Sequence, residues 1–143
     1  MADSLQEILT EPQIRPVVVR ECVDLVDAEV AGKGLIIRGA YKTVAKIKPG
    51  FVKAAIDGLL DDWLEKMEPY YSGWRDSGSG AFSEHLNTRK SEVADSLLQV
   101  TDERATTSKH RTAAKMYNKL RPSALKNVEG AVPGLAKIVE KHL

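Results

Sequence analysis

Cysteine occurs once in this chain, at Cys22, so no disulfide can close within it and a reducing compartment is expected. Histidine is almost as scarce, with only His85, His110 and His142. The Glu84-His85 pair has no second histidine one helical turn away, as a zincin helix requires, and no Glu-x-x-His occurs for a di-metal bundle. Long apolar runs are missing too. The most apolar stretch, Val17 to Val26, is interrupted by Arg20, Glu21 and Asp24, far short of the roughly 20 apolar residues of a membrane span. Met1 to Thr10 carries Asp3 and Glu7 around no apolar centre, so a signal peptide is not expected and a cytoplasmic location is. Gly32-Lys33-Gly34 lacks the spacing, the following Ser or Thr and the preceding strand of a phosphate loop. Gly78-Ser79-Gly80 lacks the strand-to-helix setting of a nucleophile elbow. Cys22 falls on an apolar helix face, where a thiol is inert. Together these absences predict no catalytic residues, no metal ligands and no cofactor. The expectation is a protein that is not an enzyme.

What is present is globular in kind. With 143 residues, 43% hydrophobic and 29% charged, the chain is long enough for one domain, residues 1–143, around one core. Apolar residues recur at helical spacing almost throughout, and alternation of period two is rare. A short helix is predicted from Ser4 to Thr10. A second starts at Pro16, buries Val19, Val23, Val26 and Val30, and closes at Gly32 or Gly34, either able to take a left-handed cap. A third covers Leu35 to Ile47, with Ile37, Tyr41 and Val44 inward, and Lys48-Pro49-Gly50 breaks it. The next buries Val52, Ile56, Leu59, Trp63 and Met67 and is expected to stop at Pro69. A mobile Gly/Ser loop is expected near 76–80. Beyond it, Val93, Leu97 and Val100 mark a helix, and Ser108 caps another holding Ala113, Met116, Tyr117 and Leu120. Pro122 is expected to open the last helix, and Pro133 to kink or restart it. The predicted fold is all-α, a single compact bundle of roughly five to seven helices without repeats. Val23, Ile56, Leu59, Trp63, Leu97, Leu120, Val128 and Leu135 are expected to be buried, each sitting mid-stripe.

The net charge of +1 conceals a strong sorting by segment. No acid stands between Glu29 and Asp57, where Lys33, Arg38, Lys42, Lys46, Lys48 and Lys53 fall. None stands between Glu103 and Glu129, where Arg104, Lys109, Arg111, Lys115, Lys119, Arg121 and Lys126 fall. Acids collect at Glu21 to Glu29 and at Asp57 to Glu68. Helical stripes normally interleave signs, and stacked like charges cost a few tenths of a kcal/mol per pair, so something compensates. One reading has Arg111, Lys115 and Lys119 meet the acidic stripe Asp57, Asp61 and Glu65 inside the fold, and this is the reading expected. The other makes 104–126 a recognition surface for a protein, anionic lipid or nucleic acid. Nucleic acid ranks last, since neither net charge nor a fold motif supports it. A second candidate surface is aromatic. Tyr70, Tyr71 and Trp74 lie just before the Gly/Ser loop and Phe82 just after it, as a pocket, an interface or a small satellite core.

The helix breaks at Lys48-Pro49-Gly50-Phe51, at Leu120-Arg121-Pro122-Ser123 and at Glu129-Gly130-Ala131-Val132-Pro133 are similar to those of a family of small bacterial all-helical proteins of unknown function. The resemblance runs from about Arg15 onward. It implies a bacterial, cytosolic, helical protein, and it brings no activity, cofactor or site residues. From the residues themselves the expected function is a helical protein–protein interaction module, self-associating or with another protein. The alternative is a binder of anionic ligand, lipid headgroup or nucleic acid, through 104–126, with peripheral contact at an anionic membrane.

Overall fold

The computed structural model describes residues 4–78 and 80–143. The described residues are 83% helical, in seven helices, with no strand among them. These are α1 (Leu5–Leu9), α2 (Arg15–Ala31), α3 (Leu35–Ala45), α4 (Phe51–Ser77), α5 (Phe82–Asn87), α6 (Lys90–Thr107) and α7 (Arg111–Lys141).

Several helix starts follow from local chemistry. The Ser4 hydroxyl accepts the Glu7 N–H at 3.1 Å and caps α1, and both Glu68 carboxylate oxygens accept the Leu5 N–H at 3.2 Å. Leu5 and Leu9, four residues apart, then point the same way and are wholly buried against α4. Pro16 sits in the first turn of α2, where its missing N–H leaves nothing unsatisfied. Gly50 enters α4 at φ 74° and Gly78 leaves it at φ 63°, both in the left-handed region where a Cβ would be strained. The glycines expected to cap α2 left-handedly do not. Gly32 sits at φ −89° and Gly34 at φ −73°, and the turn closes instead by Gly32 N–H and Lys33 N–H donating to Glu29 and Val30 carbonyls.

Three prolines were expected to punctuate helices, and all three lie inside them. Pro69 does not end α4, which runs eight residues further to Ser77. The lost bond, worth about 3 kcal/mol in an isolated helix, is offset by anchors just past the proline. Tyr70 hydroxyl bonds Ser96 Oγ at 3.2 Å, and the Tyr71 and Trp74 rings stand against Phe82 at 5.8 and 5.4 Å. Pro122 opens no helix, and Pro133 restarts none, because α7 is continuous through both. Around Pro133 the buried Val132 and Ala136 hold the chain on the core. Beside Pro122, Arg121 is tied to Asp102 on α6. The Gly/Ser loop is correspondingly shorter than 76–80, since Asp76 and Ser77 belong to α4, and Ser79 lies outside the described residues.

The core joins Leu5 and Leu9 of α1, Val18, Val19 and Cys22 of α2, and Ile56, Leu60, Leu64, Met67 and Tyr71 of α4. Phe82 and Leu86 of α5, Val93, Ala94 and Leu97 of α6, and Val132, Ala136 and Val139 of α7 complete it. Of the eight residues expected to be buried, Ile56 and Leu97 are. Val23, Trp63, Val128 and Leu135 pack on the core half-buried. Leu59 and Leu120 are also only half-buried, and for a different reason: they line an open groove.

Candidate functional site

The groove lies where four elements approach without closing. α3 contributes Ile37, Ala40, Tyr41 and Val44 to one wall, and the first half of α4 contributes Phe51, Ala55 and Leu59. The end of α6 supplies Thr101 and Ala105, and the first half of α7 supplies Ala113, Met116, Tyr117 and Leu120. The groove volume is about 580 Å³. Helix periodicity explains the lining: Ile37, Ala40, Tyr41 and Val44 fall at i, i+3, i+4 and i+7, one apolar face of α3. The same spacing puts Ala113, Met116, Tyr117 and Leu120 on one face of α7. These faces point inward as the sequence predicts, yet only Ala40 and Phe51 of the lining residues named are buried.

Polar groups in the groove are few and arranged. Tyr117 donates its one hydroxyl proton to Asp102 Oδ1, which leaves its oxygen to accept from the Thr101 hydroxyl at 2.9 Å. Arg121 grips the same carboxylate, Nε to Oδ1 at 2.8 Å and Nη2 to Oδ2 at 3.1 Å. The Arg121 hydrogen bond, then that of Tyr117, holds Asp102 below the usual carboxylate range against the effect of burial. Burial, then the Asp102 bond, pushes the Tyr117 phenol up to about 12. Tyr117 is therefore a neutral donor fixed toward α6. Tyr41 is fixed likewise by donating to Asp27 on α2, and burial followed by that bond raises its phenol.

One end of the groove is formed by two turns that meet. Phe51, first residue of α4, stacks edge-on against His110, last residue before α7, with centroids 4.8 Å apart. Lys48 from the first turn and Lys109 from the second line the groove there, beside His110. Neither lysine is in an ion pair among the described residues.

The structure divides the basic segment 104–126. Arg104 pairs with Asp62 at 3.3 Å and donates to the Gly58 carbonyl, and Arg121 pairs with Asp102. Lys109, Arg111, Lys115, Lys119 and Lys126 are exposed and meet no acid among the described residues. The expectation that Arg111, Lys115 and Lys119 answer Asp57, Asp61 and Glu65 is thus corrected. Arg15 occupies that stripe instead, with Nε 2.8 Å from Asp57 and Nη1 3.1 Å from Asp61. It is the first residue of α2 and lies outside both basic runs. The first run, Lys33 to Lys53, does not pair with the acidic stripe of α4 either.

The aromatic group is divided differently. Phe82 is wholly buried, Tyr71 is buried, and Tyr70 is half-buried on Ser96. Trp74 stays half-exposed, its indole N–H donating to the Gly80 carbonyl at 3.0 Å, and Arg75 covers the Tyr71 ring at 5.4 Å. Tyr71 and Trp74, tilted against each other, both meet Phe82 edge to face and hold the α4–α5 turn against the core. Trp74, Tyr71 and Arg75 also border a shallow hollow with Leu143.

Sequence reasoning named Lys109 but not Lys48, Tyr117, Thr101 or the apolar lining as parts of one site. Their stripes were visible; which stripes fail to close against one another is a property of the assembled bundle. Among the described residues no group of three or more His, Cys, Asp and Glu could hold a metal ion, and no helix is long and apolar enough to cross a membrane. No curated protein and no solved structure matches the chain. A family model does match, and over residues 5–143 rather than from Arg15 onward: the chain belongs to a family of unknown function, DUF6918.

Proposed function

We propose that this protein is a non-enzymatic binding module, and that its ligand is a single-chain anionic amphiphile held in the groove between α3, α4, α6 and α7. The observation that carries this reading is the juxtaposition of an open, almost wholly apolar cleft with two unpaired lysines at its mouth. Its volume of about 580 Å³ lies within the range of small-molecule sites, roughly 300–1,000 Å³. An acyl chain covers the half-exposed Leu59, Met116 and Leu120, which water now reaches. A carboxylate or phosphate head is met by Lys48, Lys109 and His110 at the meeting of the two turns. The Thr101–Tyr117–Asp102–Arg121 chain stiffens the far wall and balances its charge, since the Tyr117 proton is held by Asp102 and the Asp102 carboxylate is paired with Arg121. This narrows the anionic-ligand reading of the sequence and moves its centre from the outer stripe of 104–126 to the groove.

Palmitate below its micellar concentration, titrated by calorimetry and by displacement of anilinonaphthalene sulfonate, tests it. Binding is expected, with a neutral alcohol of equal length binding more weakly. Lys48→Gln with Lys109→Gln should weaken palmitate by about tenfold, the scale of one charge-assisted hydrogen bond. Ala113→Leu should fill the groove and block both ligands while the fold stays intact. No saturable binding, or binding that ignores Ala113→Leu, removes the proposal. Capture of an acidic amphipathic peptide in place of palmitate would return the protein to the protein–protein class.

A further inference from the structure

Among the described residues, the most exposed large apolar side chains are adjacent. Leu35 is 79% exposed and Ile36 69%, at the tip where the Gly32-Lys33-Gly34 turn enters α3. Single exposed apolar residues are ordinary. Two in succession at an exposed turn, flanked on both sides by cations, are not. Along α3 and its C-cap Lys46, Leu35, Arg38, Lys42 and Lys46 fall at i, i+3, i+7 and i+11, one face opposite the groove-lining face. All four are exposed, and the three cations have no ion pair among the described residues. Gly39 lies between them on that face, and a Cβ placed there would touch nothing, so the face is flat and open. No acid lies between Glu29 and Asp57, and the nearer acid Asp27, on α2, is engaged by the Tyr41 hydroxyl.

We infer that the α2–α3 turn and the outer face of α3 are a contact surface for an anionic lipid bilayer. Leu35 and Ile36 enter the boundary between headgroups and acyl chains, while Lys33, Arg38, Lys42 and Lys46 lie against the phosphates. Charge complementarity selects this occupant over the others. A second copy docked by two-fold symmetry would set Arg38, Lys42 and Lys46 against the same residues of its mate, like charge on like. Nucleic acid would satisfy the cations and leave Leu35 and Ile36 without a role. A bilayer surface supplies negative charge and an apolar layer within a few ångströms of each other, matching both halves of the patch. The inference stands apart from the groove reading, because Leu35, Arg38, Lys42 and Lys46 fall on the face of α3 opposite the groove and Ile36 does not line it.

Flotation of the full chain with vesicles of phosphatidylcholine alone, or of phosphatidylcholine mixed with phosphatidylglycerol, tests it at low and high salt. The chain should float with the anionic vesicles only, and release as salt rises. Leu35→Ser with Ile36→Ser should weaken partition by about tenfold or more, from the apolar area that no longer inserts. Arg38→Gln, Lys42→Gln and Lys46→Gln together should weaken it more than about a hundredfold, at about fivefold per charge. Both variants change exposed residues, so circular dichroism should match the wild type. The inference is overturned by wild-type protein that does not float at low salt, or that floats equally with neutral vesicles. It is equally overturned by variants that bind like the wild type, or by light scattering that shows a dimer lost on Leu35→Ser with Ile36→Ser. A failure of palmitate binding leaves this result unchanged, so the two proposals fall separately.

Discussion

The two halves of α7 are built from the same kinds of residue and meet opposite fates. From Leu125 onward the helix presents Val128, Val132, Leu135 and Val139, and three of its residues, Val132, Ala136 and Val139, are buried against α2 and α5. Before Pro122 it presents Ala113, Met116, Tyr117 and Leu120, and none of these is buried. α4 is divided in the same sense: Leu60, Leu64, Met67 and Tyr71 are closed in, while Ala55 and Leu59 border the groove. One end of the molecule is therefore sealed by α1, α2 and α5, and the other is left open beneath α3. An amphipathic stripe states where a helix expects to be covered. Whether a neighbour arrives to cover it depends on the lengths and crossing of other elements, and at the open end α3, eleven residues long, covers too little.

The largest expected effect separates these ends. Leu64→Ala, deep in the sealed end, should cost about 2–5 kcal/mol of unfolding free energy. Leu59→Ala, one turn and a half earlier on the same helix, removes a side chain that already borders open space. It creates no enclosed cavity, and its cost should stay below about 1.5 kcal/mol, the lower part of the transfer range. Urea denaturation of both variants checks the contrast, and equal losses would mean that the groove is closed in solution.

Acid should also act unevenly, by a smaller amount. Glu21 accepts from Lys141 Nζ at 2.8 Å and from His142 Nε2 at 2.6 Å, tying the end of α7 to α2. Burial works to raise this carboxyl, but the two hydrogen bonds prevail and hold it below its usual range. Asp61, through Arg15 first, and Asp102, through Arg121 first, are lowered as well. For a depressed carboxylate the unfolded chain takes up protons first. The stabilisation is then full above the ordinary carboxylate range near pH 4 and is lost as pH falls through the folded pKa. A melting temperature flat above about pH 5 and falling below pH 4 is expected. Glu21→Gln should flatten part of the fall and cost about 1 kcal/mol at neutral pH. Asp102→Asn should do less, since Asp102 and Arg121 are more than a third exposed.

Much of the fold was legible because it is written in local terms. Pro16, the Lys48-Pro49-Gly50 break and the apolar spacing placed most helices within a few residues of where they are. The misreadings came where distant contacts override a local signal. Pro69 reads as a terminus until Tyr70, Tyr71 and Trp74 are seen bonded and stacked beyond it. Pro122 and Pro133 read as boundaries until the burial of Val132 and Ala136 is known. The groove was legible only in parts. Its walls appeared as stripes expected to be core, and its mouth joins Lys48 to Lys109, sixty-one residues apart, through a ring contact that no periodicity announces. Charge sorting was plain in the sequence, but its pairing was not. Arg15, a lone residue outside both basic runs, holds the acidic stripe that a whole run was expected to meet.

The smallest effect is expected from the most conspicuous residues, and it tests that reassignment directly. Arg111, Lys115 and Lys119 stand on successive turns of the open half of α7, exposed and without an acid within ion-pair distance among the described residues. If nothing in the fold answers them, replacing all three by glutamine removes only repulsion between like charges at i, i+4, a few tenths of a kcal/mol per pair. The triple variant should then melt within about 0.5 kcal/mol of wild type, on the stable side where there is any difference, and that difference should vanish in high salt. Had these residues met Asp57, Asp61 and Glu65, the variant would melt lower at low salt and recover at high salt. Arg15→Gln supplies the opposite sign within the same experiment. It strips Asp57 and Asp61 of their partner and should lower the melting temperature at low salt, modestly, because both carboxylates remain about half exposed. A triple variant that loses stability while Arg15→Gln does not would return the acidic stripe to α7.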